Sequence, residues 1–294
     1  MNSSLSSRLP GVLKVPHLNP LFLSLLLVGF GCSKPDSNSS ADESTRASVG
    51  LTNETPVEVV SPDSIVPLEE KEARFDRSDP NQFRIGSAIH AALRKMKNQA
   101  RTGSRGLKLV PSRAVPVLSV EEIRQLGELD LTGRQLSSIA GLSRFTHFTS
   151  LYISDNRLSR LQPLAKHNNL LALTLDENQL DDIAAISELT RLNLLSLDSN
   201  RISNLEPLAK LTQIKYLYLG NNRIVRIDSL KKLEKLVALD LSANQITELD
   251  SLHGLFNLRS LGLFDNGGLK MSEIKELQKA LPNCTINHNV EEGQ

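Results

Sequence analysis

Cysteine is nearly absent from this chain. Its 294 residues include only Cys32 and Cys284, so no disulfide framework is readable. Net charge is also nearly absent: at +1 there is no overall pull toward nucleic acid or an acidic partner. No apolar run is long enough to span a bilayer as a helix, the candidate from Leu21 to Gly31 being 11 residues long. Catalytic signatures are missing as well. There is no P-loop, no H-E-x-x-H, no nucleophile elbow and no metal-spaced Cys/His cluster. Ser272-Glu-Ile-Lys275 matches only the loose S-x-x-K pattern, without its supporting motifs.

What the chain has instead is repetition. Leu170-Leu-Ala-Leu-Thr-Leu-Asp-Glu-Asn-Gln-Leu180 returns as Leu192 to Ile202, Ile214 to Ile224 and Leu236 to Ile246. Asparagines fall at Asn156, Asn178, Asn200, Asn222, Asn244 and Asn266, a constant period of 22 residues. Within a repeat, alternation predicts a short strand, with Leu217 and Leu219 inward and Tyr218 and Gly220 outward. The asparagine amide is placed to satisfy backbone groups freed by the turn, and stacked repeats would align these amides as a ladder. Beyond the turn, Ile224, Ile227, Leu230 and Leu233 recur every three residues, which suits a tight return; Pro163 and Pro207 stand where such returns begin.

The pattern L-x-x-L-x-L-x-x-N-x-L resembles the leucine-rich repeats, and its length resembles the internalin-like class. The resemblance implies an α/β fold: a right-handed solenoid with parallel strands on the concave face and short 3₁₀ or helical turns on the convex face. It also implies a non-enzymatic binding module that takes a protein ligand. We place the solenoid at residues 119–290, with seven coils and a closing strand. The first coil carries Arg134 in the asparagine slot, so the ladder should start one coil in. Ser119, Glu121 and Glu122 mark a helix start, and that short helix is the candidate N-terminal cap. At the far end an amphipathic segment, Met271 to Ala280, precedes a restored repeat in which Cys284 takes a leucine slot as a buried, inert thiol. His167 replaces the leucine of other coils and is read as a partly buried substitute.

Upstream of the repeats, residues 1–31 read as a signal peptide. Small residues before Cys32 resemble a bacterial lipoprotein signal, so Cys32 is the expected lipid attachment point on an exported, membrane-anchored protein facing the periplasm or cell exterior. Residues 32–81 are rich in Ser, Pro, Asp, Glu and Asn and read as a flexible tether. A basic, partly helical segment follows at 82–118, and residues 82–113 carry eight Lys/Arg and no acid. There Ile85, Ala88, Ile89, Ala92, Leu93 and Met96 form a helical stripe. It suits a helix resting on an anionic membrane or, as we favour, one packed beside the first repeat with a solvated basic face. Residues 291–294 form a tail expected to fray.

The functional expectation rests on the outward strand positions. All three tyrosines, Tyr152, Tyr216 and Tyr218, fall on that face, with Phe264. Aromatics presented by a rigid sheet are common anchors of protein interfaces. Asp176 and Asp198 share a column in adjacent coils, and Asp240 flanks the tyrosine pair. Such acids favour a basic partner patch; calcium at Asp176, Glu177 and Asp198 is a weaker alternative, and no metal or other cofactor is expected. Arg157 and Arg201 are candidates to relieve the repulsion between the two aspartates. As outward groups the tyrosines should be expendable for folding, Tyr218→Ala costing under about 1 kcal/mol against roughly 2–5 kcal/mol for Leu217→Ala. The protein is read as a monomer that does not bind nucleic acid. The alternative function is an envelope scaffold or spacer without a specific ligand.

Overall fold

The computed structural model describes residues 72–73, 75–76, 78–100 and 118–291, all within the unit running from Pro62 to Gln294. The stretch read as a signal peptide, Cys32, most of the stretch read as a tether, the later part of the basic segment and residues 292–294 lie outside the described residues.

Each coil begins with a three-residue strand. In chain order these are β3 (Glu128–Asp130), β4 (Ser150–Tyr152), β5 (Ala172–Thr174), β6 (Leu194–Ser196), β7 (Tyr216–Tyr218), β8 (Ala238–Asp240), β9 (Ser260–Gly262) and β10 (Thr285–Asn287). They form one eight-stranded parallel sheet in strict sequence order. The middle leucines face one another from coil to coil: Leu195 opposite Leu217, and Leu217 opposite Leu239. A slip of one residue would turn that whole buried column to the other face, so the apolar pattern holds the register.

The strands are short because the chain turns at once. Asp155, Glu177, Ser199, Asn221, Ala243 and Asp265, each just before a ladder asparagine, all adopt left-handed backbone with φ between 52 and 57°. An L side chain there costs roughly 1–2 kcal/mol. The asparagine that follows offsets this cost. Asn200 Nδ2 donates to the carbonyls of Leu197 and Asp198 in its own coil and of Leu175 in the preceding one, while its Oδ1 accepts from Leu180 N. The same four bonds recur from Asn156 to Asn266, so the ladder does begin one coil in.

The return legs are 3₁₀ turns, among them Gln162–Leu164 and Glu206–Leu208, each with a proline in its first turn where an N–H is not needed. Their leucines and isoleucines, with the strand leucines, make one continuous core of almost fully buried aliphatic side chains. His167 sits inside it at 0% exposure, fully rather than partly buried.

A solenoid must cover its end coils. At the start, the short helix α2 (Val120–Arg124) has the expected acids in its first turn, but the Ser119 side chain makes no cap hydrogen bond. Ser119 instead belongs to β2 (Leu118–Ser119), which pairs antiparallel with β1 (Glu72–Ala73). Most of the covering comes from α1 (Pro80–Ala100), whose Ile85, Ala88, Ile89 and Leu93 join the core. Arg84 Nη1 caps the Gln135 carbonyl at 2.8 Å, and Asn81 Oδ1 accepts from Ser137 N at 2.9 Å. Of the two readings of the basic segment, the helix packed on the first coil is the one found; its apolar stripe is occupied and not presented to a membrane. The tether also ends earlier than residue 81, because Ala73 is buried and Phe75 stacks on Phe145 at 5.9 Å.

At the other end α3 (Met271–Ala280) buries Ile274 and Leu277, and β10 closes the sheet. Cys284 takes the leucine slot at 5% exposure, its thiol pushed up to about 11 by burial. Among the described residues no helix is long and apolar enough to cross a membrane.

Candidate functional site on the concave face

The sheet register fixes three outward columns. One holds Tyr152, Thr174, Ser196, Tyr218, Asp240 and Gly262, as the pairing of β4 to β9 shows. On one side of it runs the column of Ser150, Ala172, Leu194, Tyr216, Ala238 and Ser260. On the other, just past each strand, stand Ser154, Asp176, Asp198, Gly220, Ser242 and Phe264. The sheet therefore brings Tyr216, Tyr218, Asp198 and Asp240 together in three consecutive coils. Tyr152 and Phe264 stand toward opposite ends.

The repulsion expected between Asp176 and Asp198 is handled locally. Asp176 accepts from the hydroxyls of Ser196 and Ser154 and, at 3.0 Å, from Asp198 N. Asp198 in turn accepts from Gly220 N at 2.6 Å. Each carboxylate thus reaches forward one coil to a backbone N–H. Neither Arg157 nor Arg201 forms an ion pair with them among the described residues, so that part of the expectation fails. Burial raises the Asp176 carboxyl above its ordinary range, and it raises Asp198 to about 8, with Asp176 and then Asp240 adding to the effect.

Two glycines make room for these acids. A Cβ on Gly220 would sit 3.3 Å from Asp198 Oδ1 and 3.6 Å from Asp240 Oδ2. One on Gly262 would collide with Asp240 Oδ1. Sequence reading placed Ser154, Ser196 and these glycines on the outward face but gave them no part in the site. The available signal was that small residues occupy the outward slots next to each aspartate.

The aromatics are not equally available. Phe264 is 38% exposed, and Tyr152 and Tyr216 are half-buried. Tyr218 is 2% exposed, although it stands outside the aliphatic core. Burial, then Tyr216, Asp198, Asp240 and Asp176, push its phenol above the ordinary range. The expectation that Tyr218 can be cut to alanine for under about 1 kcal/mol is corrected: removing a buried aromatic costs more. The register itself holds, since Tyr218 lies on the outward column. Among the described residues no group of three or more His, Cys, Asp or Glu side chains is arranged to hold a metal ion.

With this geometry in hand, the chain can be compared with known proteins. A family model described as Leucine Rich repeats (2 copies) matches residues 189–232 and 212–254. No curated protein sequence matches. Among solved structures, an internalin (inlF) from Listeria monocytogenes is 31% identical with a TM-score of 0.55, over 58% of this chain and 51% of that one. A leucine-rich-repeat protein of Leptospira interrogans is 25% identical with a TM-score of 0.53, over 57% and 44%. Internalin C2 of Listeria monocytogenes shares the fold at 23% identity and a TM-score of 0.51, over 70% of this chain and 92% of its own. The chain thus spans about half the length of the inlF structure. It carries leucine-rich repeats, folded as an open parallel-stranded solenoid similar to those of the bacterial internalins.

Proposed function

We propose that this protein is a non-enzymatic binding module that takes a protein partner on its concave face. Leucine-rich repeats generally mediate protein–protein interaction. The observation that supports this reading is the centre of the sheet, where Tyr216 stands half-buried between Leu194 and Ala238 on the strand that also carries Tyr218, with Asp240 opposite Tyr218 in the next coil and Asp198 in the coil before. Rigid aromatic groups within a polar surround are where binding energy concentrates. Phe264 and Tyr152 extend that surface, while Asp176 and the buried Tyr218 support it from below. A basic patch on the partner would favour the ionised form of Asp198 and pair with it, making association sensitive to salt and to pH. A lipid on Cys32 would hold the module, as a monomer, at the envelope.

The test is recovery of partners from envelope extract by the full chain, compared with a Tyr216→Ala variant of unchanged melting temperature. Loss of a specific partner from the variant supports the reading. Identical recovery by both proteins at low and high salt would favour the scaffold instead. For the anchor, Cys32→Ser should move the protein out of the membrane fraction.

A further inference from the structure

A second feature lies beside the concave centre, at the edge where the strands begin. An open groove of about 330 Å³ sits where β7, β8 and β9 begin, lined by Lys215, Lys235, Val237, Asn257 and Arg259. Lys215, Val237 and Arg259 are the residues just before the three strands. Val237 N bonds to the Lys215 carbonyl and Arg259 N to the Val237 carbonyl, both at 2.8 Å. Strands in a sheet lie roughly 4.8 Å apart, so the two cations stand roughly 10 Å apart at the backbone with a valine between them. Both long side chains can reach one group seated over that valine.

The groove is built for negative charge. Three of its five lining residues are cationic and none is acidic. Among the described residues none of the three cations pairs with a carboxylate. Two of them are held in place by neutral partners. Lys235 Nζ donates to Gln213 Oε1 at 2.6 Å. Arg259 Nη1 donates to the carbonyls of Phe256 and Leu258 at 2.9 and 3.0 Å, leaving the other edge of the guanidinium for a ligand. Asn257 is likewise fixed, through the Glu234 carbonyl at 2.8 Å. The three cations are exposed, so water screens most of their repulsion, and an anion seated among them would turn what remains into attraction. A planar fork beside two ammonium groups matches a doubly charged tetrahedral oxyanion better than a single carboxylate.

We propose that this groove is an oxyanion site that takes a phosphate group, with Lys215, Lys235 and Arg259 as its ligands. The site is independent of the concave-face reading and survives its failure. The test is titration of the full chain with inorganic phosphate at constant ionic strength, with chloride as the control, followed by calorimetry. Lys215→Gln is the main variant, because Lys215 makes no side-chain hydrogen bond among the described residues and its loss should leave the melting temperature in chloride unchanged. Saturable binding of phosphate, weakened roughly ten-fold by Lys215→Gln, is expected from the loss of one charge-assisted contact. Phosphate that behaves as chloride does, or a Lys215→Gln protein that binds as wild type, overturns the proposal. Sedimentation with phosphatidylcholine vesicles, with and without phosphatidic acid, identifies the source. Pelleting that needs phosphatidic acid and is lost in Lys215→Gln assigns the phosphate to a lipid headgroup. Phosphate binding without that pelleting assigns it to a soluble phosphate.

Discussion

Replacing His167 with leucine should stabilise this protein, increasingly so in acid. The histidine stands where four later coils carry Leu189, Leu211, Leu233 and Leu255, and it is 0% exposed. Neither ring nitrogen has a hydrogen-bond partner; the Leu164 and Leu142 carbonyls face it too loosely to offset burial, which lowers its pKa below the ordinary 6.5. A buried polar group without a partner costs about 1–3 kcal/mol, and leucine removes that cost while keeping the slot filled. The expected gain near pH 7.5 is therefore about 1–3 kcal/mol, or several degrees in Tm. As the pH falls below 6.5, the unfolded chain protonates this histidine while the folded chain resists. Wild-type stability then drops by up to about 1.4 kcal/mol per pH unit until the folded value is reached. The variant lacks this loss, so its advantage must widen between pH 7.5 and 5.5. Paired thermal melts at the two pH values test this. A less stable variant, or a gap that narrows in acid, would refute the reasoning and indicate that the ring has a partner.

Other consequences are as direct. Asn200→Ala strips four hydrogen bonds, two within its own coil and two to the coil before it, and should cost roughly 3–5 kcal/mol, read by urea denaturation. Ala243→Gly relieves a left-handed alanine at φ 54° and should raise stability by up to about 1 kcal/mol, whereas the same change at Ala238 in β8 should not. Asp198→Asn preserves the acceptor for Gly220 N but cannot ionise. Because the folded carboxyl is raised to about 8, wild-type stability declines as pH rises from about 4 to 8; the Tm advantage of Asp198→Asn should grow over that window and level off above it.

The coils were legible because each obeys the same physical requirement. A leucine that must be buried every 22 residues leaves a periodic trace, and so does an asparagine that must satisfy three carbonyls and an N–H. The ends were less legible. Nothing in the spacing of Ile85, Ile89 and Leu93 says which surface the stripe meets, since a first coil and a membrane both accept an apolar helix face. Ser119 looked like a helix cap because its type and position suit one, but pairing with the distant β1 claimed it instead. The concave face was legible in register and not in accessibility. Alternation states that Tyr218 points away from the leucines, but its burial depends on neighbours in other coils. The serine and backbone partners of Asp176 lie 20 and 22 residues away and appear only once the coils stack.

The side-chain amides of the ladder asparagines all hold backward, each tying its own turn to the coil before it and never to the one after. A 22-residue duplication inserted between Ser150 and Gly262 would therefore meet the same bonds at both of its junctions that it left behind. Length in this molecule is quantised: it can grow or shrink by whole coils without redesign, moving the aromatic centre and the cationic groove nearer or farther from either end. A chain cut to end inside the repeats would be a different matter. Its final asparagine would remain fully bonded, while the leucine and isoleucine N–H groups awaiting the next one would be left facing water.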